Sequence, residues 1–114
     1  MKLHFYVHSK EYVFTKECPK GVKPLAYFRE EEGESYVLEL SIAIEQGIPY
    51  TFPCSCLQIK EKTALNAVGI TARVAEILAS KDIPCNVMAA YYHDYFFVPN
   101  HMGKEALLLL NGGI

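Results

Sequence analysis

Two short groups of residues have the types that could carry chemistry. Cys54 and Cys56 are candidate thiol or zinc ligands, and His93-Asp94 is a candidate base with its orienting carboxylate. Zinc sites usually leave roughly two to four residues between paired cysteines, whereas one residue separates this pair. Neighbouring residues of a strand point to opposite faces, which separates the His93 and Asp94 side chains. We therefore predict a protein that is not an enzyme, with no metal site and no cofactor.

Other polar groups also lack the spacing of a site. His4 and His8 are separated by roughly 13 Å of extended chain, too far to ligate one metal ion without a bend. The acidic run 30–34 lacks the spacing of a calcium loop. Lys16, Lys20 and Lys23 lie in a proline-containing segment that we interpret as a solvated loop, although these lysines could also steer an anionic ligand.

The composition is that of a soluble globular domain. Of 114 residues, 51% are hydrophobic and 21% are charged, and the net charge of -2 gives no footprint for nucleic acid or an anionic membrane. The first residues lack the apolar run of a signal peptide, and no segment approaches the roughly 18 apolar residues that cross a bilayer. We predict a cytoplasmic protein whose cysteines are reduced thiols: Cys18, Cys54, Cys56 and Cys85.

Strands and one short helix are predicted in residues 1–53. Alternation over 3–8 predicts a strand, and a turn at 8–10 separates it from a second strand over 12–15. Residues 25–29 and 35–40 are predicted to form a hairpin around Gly33. Ser41 is expected to cap a short helix that Gly47 ends.

Residues 54–114 mix both kinds of element. Residues 54–60, 85–90 and 95–98 are predicted strands, the last two joined by a polar turn. Helical spacing from 69 to 81 predicts an amphipathic helix with the apolar stripe Ile70, Val74, Ile77 and Leu78. A last helix is expected to follow Pro99-Asn100 and to end at Asn111-Gly112-Gly113.

This order leaves the second half one strand short of a split βαββαβ unit. Either the N-terminal strand supplies the missing strand, or the two halves share one sheet. We predict an α+β, ferredoxin-like fold with tandem halves, 1–53 and 54–114, and an antiparallel sheet with its helices on one face. Residues 95–98 are apolar in succession, so the other sheet face is expected to meet a partner half or a partner subunit.

Three segments resemble the small stand-alone ACT-domain proteins of bacteria. They are EYVF…PLAYFREEEGESYVL, AVGITARVAEIL and IPCNVMAAYYHDYFFVP, and the similarity runs from about Tyr12 to Leu110 in the order and with the gaps of that family. The resemblance implies a tandem pair of ACT-like βαββαβ units, similar to the regulatory domains of aspartate kinases. ACT domains typically bind an amino acid or a similar small effector at the interface between two units.

The same resemblance implies where a ligand would bind. The loop before the first helix does much of the binding in ACT domains, and here that loop contains Asn66, Ala67, Val68, Gly69 and Ile70. A glycine at a helix N-terminus lets a ligand approach the backbone, and the free N–H groups favour a carboxylate. The alternative is that Gly69 only allows a tight turn. Asn86 is a further candidate contact, or else a hydrogen bond at a sheet edge.

Two functions without catalysis remain open, since an enzyme would require the Cys54 and Cys56 or the His93 and Asp94 side chains to converge in one pocket. The first is a regulatory module that senses a small molecule, such as an amino acid, in a homo-oligomer (dimer or tetramer), without nucleic acid or membrane. The second is a structural or protein-interaction module without a ligand. The resemblance places His93-Asp94 in a hairpin turn, which predicts a turn-stabilising role, while ligand contact by Tyr91, Tyr92 or His93 stays an alternative.

Overall fold

The computed structural model describes residues 2–113. Within them the chain forms six strands and three α-helices. In chain order these elements are β1 (Phe5–Thr15), β2 (Ala26–Arg29), β3 (Glu34–Glu39), α1 (Leu40–Glu45), β4 (Thr51–Ile59), α2 (Ile70–Ala79), β5 (Asn86–Ala89), β6 (Asp94–Pro99) and, after a 3-10 turn at Asn100–Met102, α3 (Gly103–Gly113). The strands form one antiparallel sheet in the order β2-β3-β1-β4-β6-β5. The predicted α+β fold is confirmed.

The chain divides into two compact units. One comprises Met1–Ser9 and Ser55–Ile114, and the other comprises Lys10–Cys54. The long strands β1 and β4 each contribute one part to each unit, because the divisions fall inside them. Both alternatives for the missing strand therefore hold: β1 completes the unit that contains α2 and α3, and all six strands belong to one sheet.

The core of the unit that contains α2 and α3 lies between its strands and these two helices. Leu57 and Ile59 alternate along β4, so both point to the face that the helices cover. Val74 and Leu78 come from the predicted stripe of α2 and are fully buried. Each large apolar side chain buried in this way contributes about 1.5–3 kcal/mol to folding. The same cluster also contains Leu3, Phe5, Ile83, Phe96, Val98, Ala106 and Leu110.

The unit Lys10–Cys54 has a smaller core. Val13 and Leu38 face each other in the antiparallel register of β1 and β3, and Ala43 of α1 packs against them. The hairpin of β2 and β3 matches the predicted one and turns at Gly33, whose φ of +149° suits glycine.

Two predictions about element boundaries are wrong. The turn expected at residues 8–10 is absent, because β1 runs unbroken from Phe5 to Thr15; within it, Lys10 Nζ lies 3.2 Å from Glu39 Oε1. Helix α1 begins at Leu40, so Ser41 lies in its first turn and caps nothing. Helix α3 ends at Gly113, within the predicted end at residues 111–113, and the Gly113 carbonyl accepts a hydrogen bond of 3.1 Å from Arg73 Nη2. In neither of the two wrong predictions does the local turn or capping signal set the boundary.

Candidate functional site

Gly69 sits at the N-terminus of α2 in a conformation that other residues disfavour. Its φ and ψ are +91° and -11°, in the left-handed region, where a Cβ atom would clash with the backbone. Its carbonyl accepts the Arg73 N–H at 2.9 Å, which closes the first turn of the helix. No side chain caps that turn. The first N–H groups of α2 therefore point outward without a side-chain acceptor, a geometry that favours an anion.

The other residues predicted in this loop lie at the surface. Asn66 and Gly69 are exposed, and Val68 is 95% exposed, while Ile70 is half-buried against the core. A single exposed valine is common in folded proteins and does not by itself mark a site. The loop thus presents backbone, the Asn66 amide and the apolar side chains of Ala67 and Val68 to any molecule that approaches the N-terminus of α2.

The loop begins at a residue held by two histidines. The Glu61 carboxylate lies 2.9 Å from the His4 backbone N and 2.7 Å from His4 Nδ1, and the Glu61 carbonyl oxygen lies 3.2 Å from His93 Nδ1. Hydrogen bonds from the backbone and then the side chain of His4 lower the pKa of Glu61 to about 2. The carboxylate stays ionised near neutral pH, and it fixes the start of the loop.

The hairpin turn at residues 91–93 folds against this start. The Thr63 N–H donates to the Tyr92 carbonyl at 3.1 Å, and the Ala90 N–H donates to the His93 carbonyl at 3.0 Å. Tyr91 is 75% exposed, and its ring lies edge-on to that of Tyr92 with centroids 4.9 Å apart. The structure thus brings Tyr91 and His93 to the segment that leads into the Gly69 loop.

The positions of Asn86 and Asp94 give less support to a role in ligand binding. Asn86 is the exposed first residue of β5, the strand at one edge of the sheet, and it faces Phe97 across the β5–β6 pair. Asp94 is 8% exposed at the start of β6. A ligand contact by Asn86 stays a prediction.

Thr63 was not predicted from the sequence as part of the site. Its side chain is 6% exposed, and Oγ1 has no hydrogen-bond partner within residues 2–113. A buried polar group left unpaired costs about 1–3 kcal/mol. Its burial depends on the turn 91–93 folding over residue 63, a contact between distant segments, so no local pattern reveals it.

The cysteine pair lies inside the protein. Cys54 and Cys56 are fully buried in β4, and Cys54 Sγ donates to the Tyr12 carbonyl at 3.2 Å. Burial, with a smaller effect of the Glu11 charge, raises the pKa of Cys54 to about 12, and burial alone raises the pKa of Cys85 to about 11. A protonated thiol is a poor nucleophile and metal ligand. Throughout the described part of the chain, no three His, Cys, Asp or Glu side chains are grouped closely enough to hold a metal ion.

Comparison with models of known families identifies one family. Two family models described as ACT domain match the chain, over residues 1–55 and 51–111. A crystal structure of a protein of unknown function from Vibrio cholerae, described as a possible transport protein, is similar with a TM-score of 0.84 and 34% identity over 93% of this chain and 85% of that one. No curated protein matches.

More distant structures share the fold. A protein from Agrobacterium tumefaciens has a TM-score of 0.76 at 18% identity, covering 99% of this chain and 90% of that one. The ligand-free regulatory subunit of aspartate kinase from Thermus thermophilus has a TM-score of 0.72 at 8% identity, covering 96% and 95%. Of the helices described, none has the length and apolarity to cross a membrane. The chain belongs to the ACT domain family, as a tandem pair of ACT domains.

Proposed function

We propose that this protein is a non-enzymatic regulatory module that binds a small effector, an amino acid, between ACT units of two copies of the chain. In this proposal residues 1–53 and 54–114 each correspond to one ACT domain, and the protein acts in the cytoplasm. The observation that carries it is the left-handed Gly69 before the uncapped first turn of α2. Such a helix terminus favours the α-carboxylate of an amino acid.

The remaining predicted residues have definite roles in this proposal. The backbone around Gly69 receives the carboxylate, and the amides of Asn66 and Asn86 offer both donors and acceptors to the α-ammonium group or the carboxylate. The exposed side chains of Val68 and Tyr91 become covered by the second subunit or by the ligand. Ile70 and His93 are half-buried, and in this proposal they hold the loop in place rather than contact the ligand.

Regulation requires that the ligand distinguish two states. A ligand shifts an equilibrium only by the difference between its affinities for the two states. In this proposal the bound amino acid favours one arrangement of two subunits, and a separate partner protein reads that arrangement.

A thermal-shift screen with the twenty amino acids tests the proposal. A ligand at 100 times its dissociation constant stabilises the native protein by about 2.7 kcal/mol. Val68→Glu places a carboxylate beside the N-terminus of α2, and we expect it to abolish the shift by repelling the ligand. Leu108→Glu is the matched control, because Leu108 is 76% exposed on α3.

The outcomes separate the two functions. For a non-aromatic amino acid, a shift that survives Val68→Glu as well as Leu108→Glu would contradict a site at the Gly69 loop. No shift with any amino acid would favour a structural or protein-interaction module instead. Light scattering coupled to size-exclusion chromatography measures the oligomer, and a strict monomer with ligand bound would contradict a site between two copies.

A further inference from the structure

A cleft of about 530 Å³ opens in the unit Lys10–Cys54, where β1 ends. Its volume lies within the range of small-molecule sites. Its walls come from three segments that are distant in sequence, and they include Phe14, Lys16, Glu17, Ser35, Pro49 and Tyr50. All of these residues belong to the same unit, and none belongs to the Gly69 loop.

One wall of the cleft is apolar and aromatic. The Phe14 ring meets the Phe52 ring edge-on, with centroids 6.0 Å apart and planes at 69°. Phe52 has a φ of +57°, a left-handed conformation that is unusual for a bulky side chain. Backbone of this kind persists only where the surroundings hold it, and it clusters at ligand sites. Tyr50 is 44% exposed on the same lining, so Phe14 and Tyr50 offer aromatic surface to a ligand in the cleft.

The other side of the cleft carries charge. Lys16 and Ser35 also line a second cleft of about 380 Å³, together with Glu30, Glu32 and Glu34. The Ser35 hydroxyl donates to Glu30 Oε1, which fixes that carboxylate. In the part of the chain that the structure describes, Lys16 enters no ion pair. A free ammonium group therefore stands between an apolar cleft and a group of carboxylates.

Charge complementarity selects the ligand. A simple anion would meet Lys16 but also the neighbouring glutamates, and a simple cation would leave Lys16 unpaired. A zwitterion can pair its negative group with Lys16 and its positive group with the glutamates. We propose that the two clefts together bind a free aromatic α-amino acid, with its ring against Phe14 and Tyr50, its carboxylate on Lys16 and its ammonium group toward Glu30. This second site does not depend on a ligand at Gly69.

Calorimetry with four probes on the full chain tests the pose. L-Phenylalanine carries the ring and both charges, 3-phenylpropanoate lacks the ammonium group, 2-phenylethylamine lacks the carboxylate, and L-alanine lacks the ring. We expect L-phenylalanine to bind at least about tenfold more tightly than each of the other three, because each of them loses one of the contacts. Equal affinity for 2-phenylethylamine would overturn the role of Lys16, and no binding of L-phenylalanine would overturn the site.

Matched variants locate the binding. Lys16→Gln should weaken L-phenylalanine about tenfold or more and leave 2-phenylethylamine unchanged, whereas Lys23→Gln, outside the cleft lining, should change neither. Glu30→Gln should weaken both of these ammonium-bearing probes. Val68→Glu should leave L-phenylalanine binding intact. Binding that is lost in Val68→Glu but kept in Lys16→Gln would place the ligand at the Gly69 loop and overturn the cleft site.

Discussion

The Glu61 carboxylate is bonded to both the backbone and the side chain of His4, a residue 57 positions earlier. Its oxygens lie 2.9 Å from the backbone N and 2.7 Å from Nδ1 of His4. The Lys60 N–H adds a bond of 2.8 Å to the His4 carbonyl. These bonds join the residue before β1 to the residues after β4, immediately ahead of the loop that carries Gly69. An ionised Glu61 therefore helps to set where that loop begins.

Glu61→Gln should make stability less dependent on pH in the acid range. The carboxylate has a folded pKa of about 2 against an ordinary value of 4.5, so its contribution is present above 4.5 and is lost as the pH falls toward about 2. We expect the wild type to be more stable than Glu61→Gln at neutral pH. Urea unfolding across the acid range should show that difference shrinking below pH 4.5.

Glu45→Gln is the control for this effect, since the Glu45 carboxylate has no hydrogen bond or ion pair within residues 2–113. Its stability difference from the wild type should stay flat across the same range. A Glu61→Gln difference that is equally flat would mean that the bonds to His4 do not hold the carboxylate ionised.

Asn111→Ala should destabilise the fold more than an ordinary surface substitution. The Asn111 side chain accepts the Phe5 N–H at 2.8 Å and donates to the Phe5 carbonyl at 3.1 Å, so it joins α3 to the first residue of β1. Alanine leaves both backbone groups without this partner at a part-buried site, at a cost of about 1–3 kcal/mol. Chemical denaturation measures the change.

Asn86→Ala provides the comparison, because Asn86 is exposed at a sheet edge. We expect it to stay within about 0.5 kcal/mol of the wild type in the absence of ligand. Similar losses of stability for the two variants would show that the two hydrogen bonds between Asn111 and Phe5 contribute little to stability.

Periodic patterns made much of this fold predictable. Val74 and Leu78 recur at helical spacing, and both are buried residues of α2 in the structure. Asn111 carries no such signal, because its two partners lie 106 residues away in the chain. The unbroken β1 was missed because residues 8–10 favour a turn locally, whereas in the sheet the strand continues through them between its neighbours β3 and β4.

The candidate sites divide in the same way. Gly69 was identifiable because a glycine before an amphipathic helix predicts a special backbone conformation, and its φ is indeed positive. Thr63 and the cleft at Lys16 were not identifiable as parts of a site. Each depends on which distant segments fold beside it, residues 91–93 in the first case and 49–51 in the second.

Gly69→Ala should isolate the cost of the left-handed conformation at the proposed site. Apart from its own and the adjacent backbone, a Cβ atom at Gly69 would meet nothing within 4 Å, so the strain of the left-handed conformation is the only penalty. We expect a loss of about 1–2 kcal/mol in urea unfolding. Gly112→Ala in α3 is the control: its Cβ also meets nothing within 4 Å, and helix propensity should make it neutral or stabilising by up to about 1 kcal/mol. If Gly69→Ala were as stable as the wild type, the loop would not require the positive φ on which the proposed anion site depends.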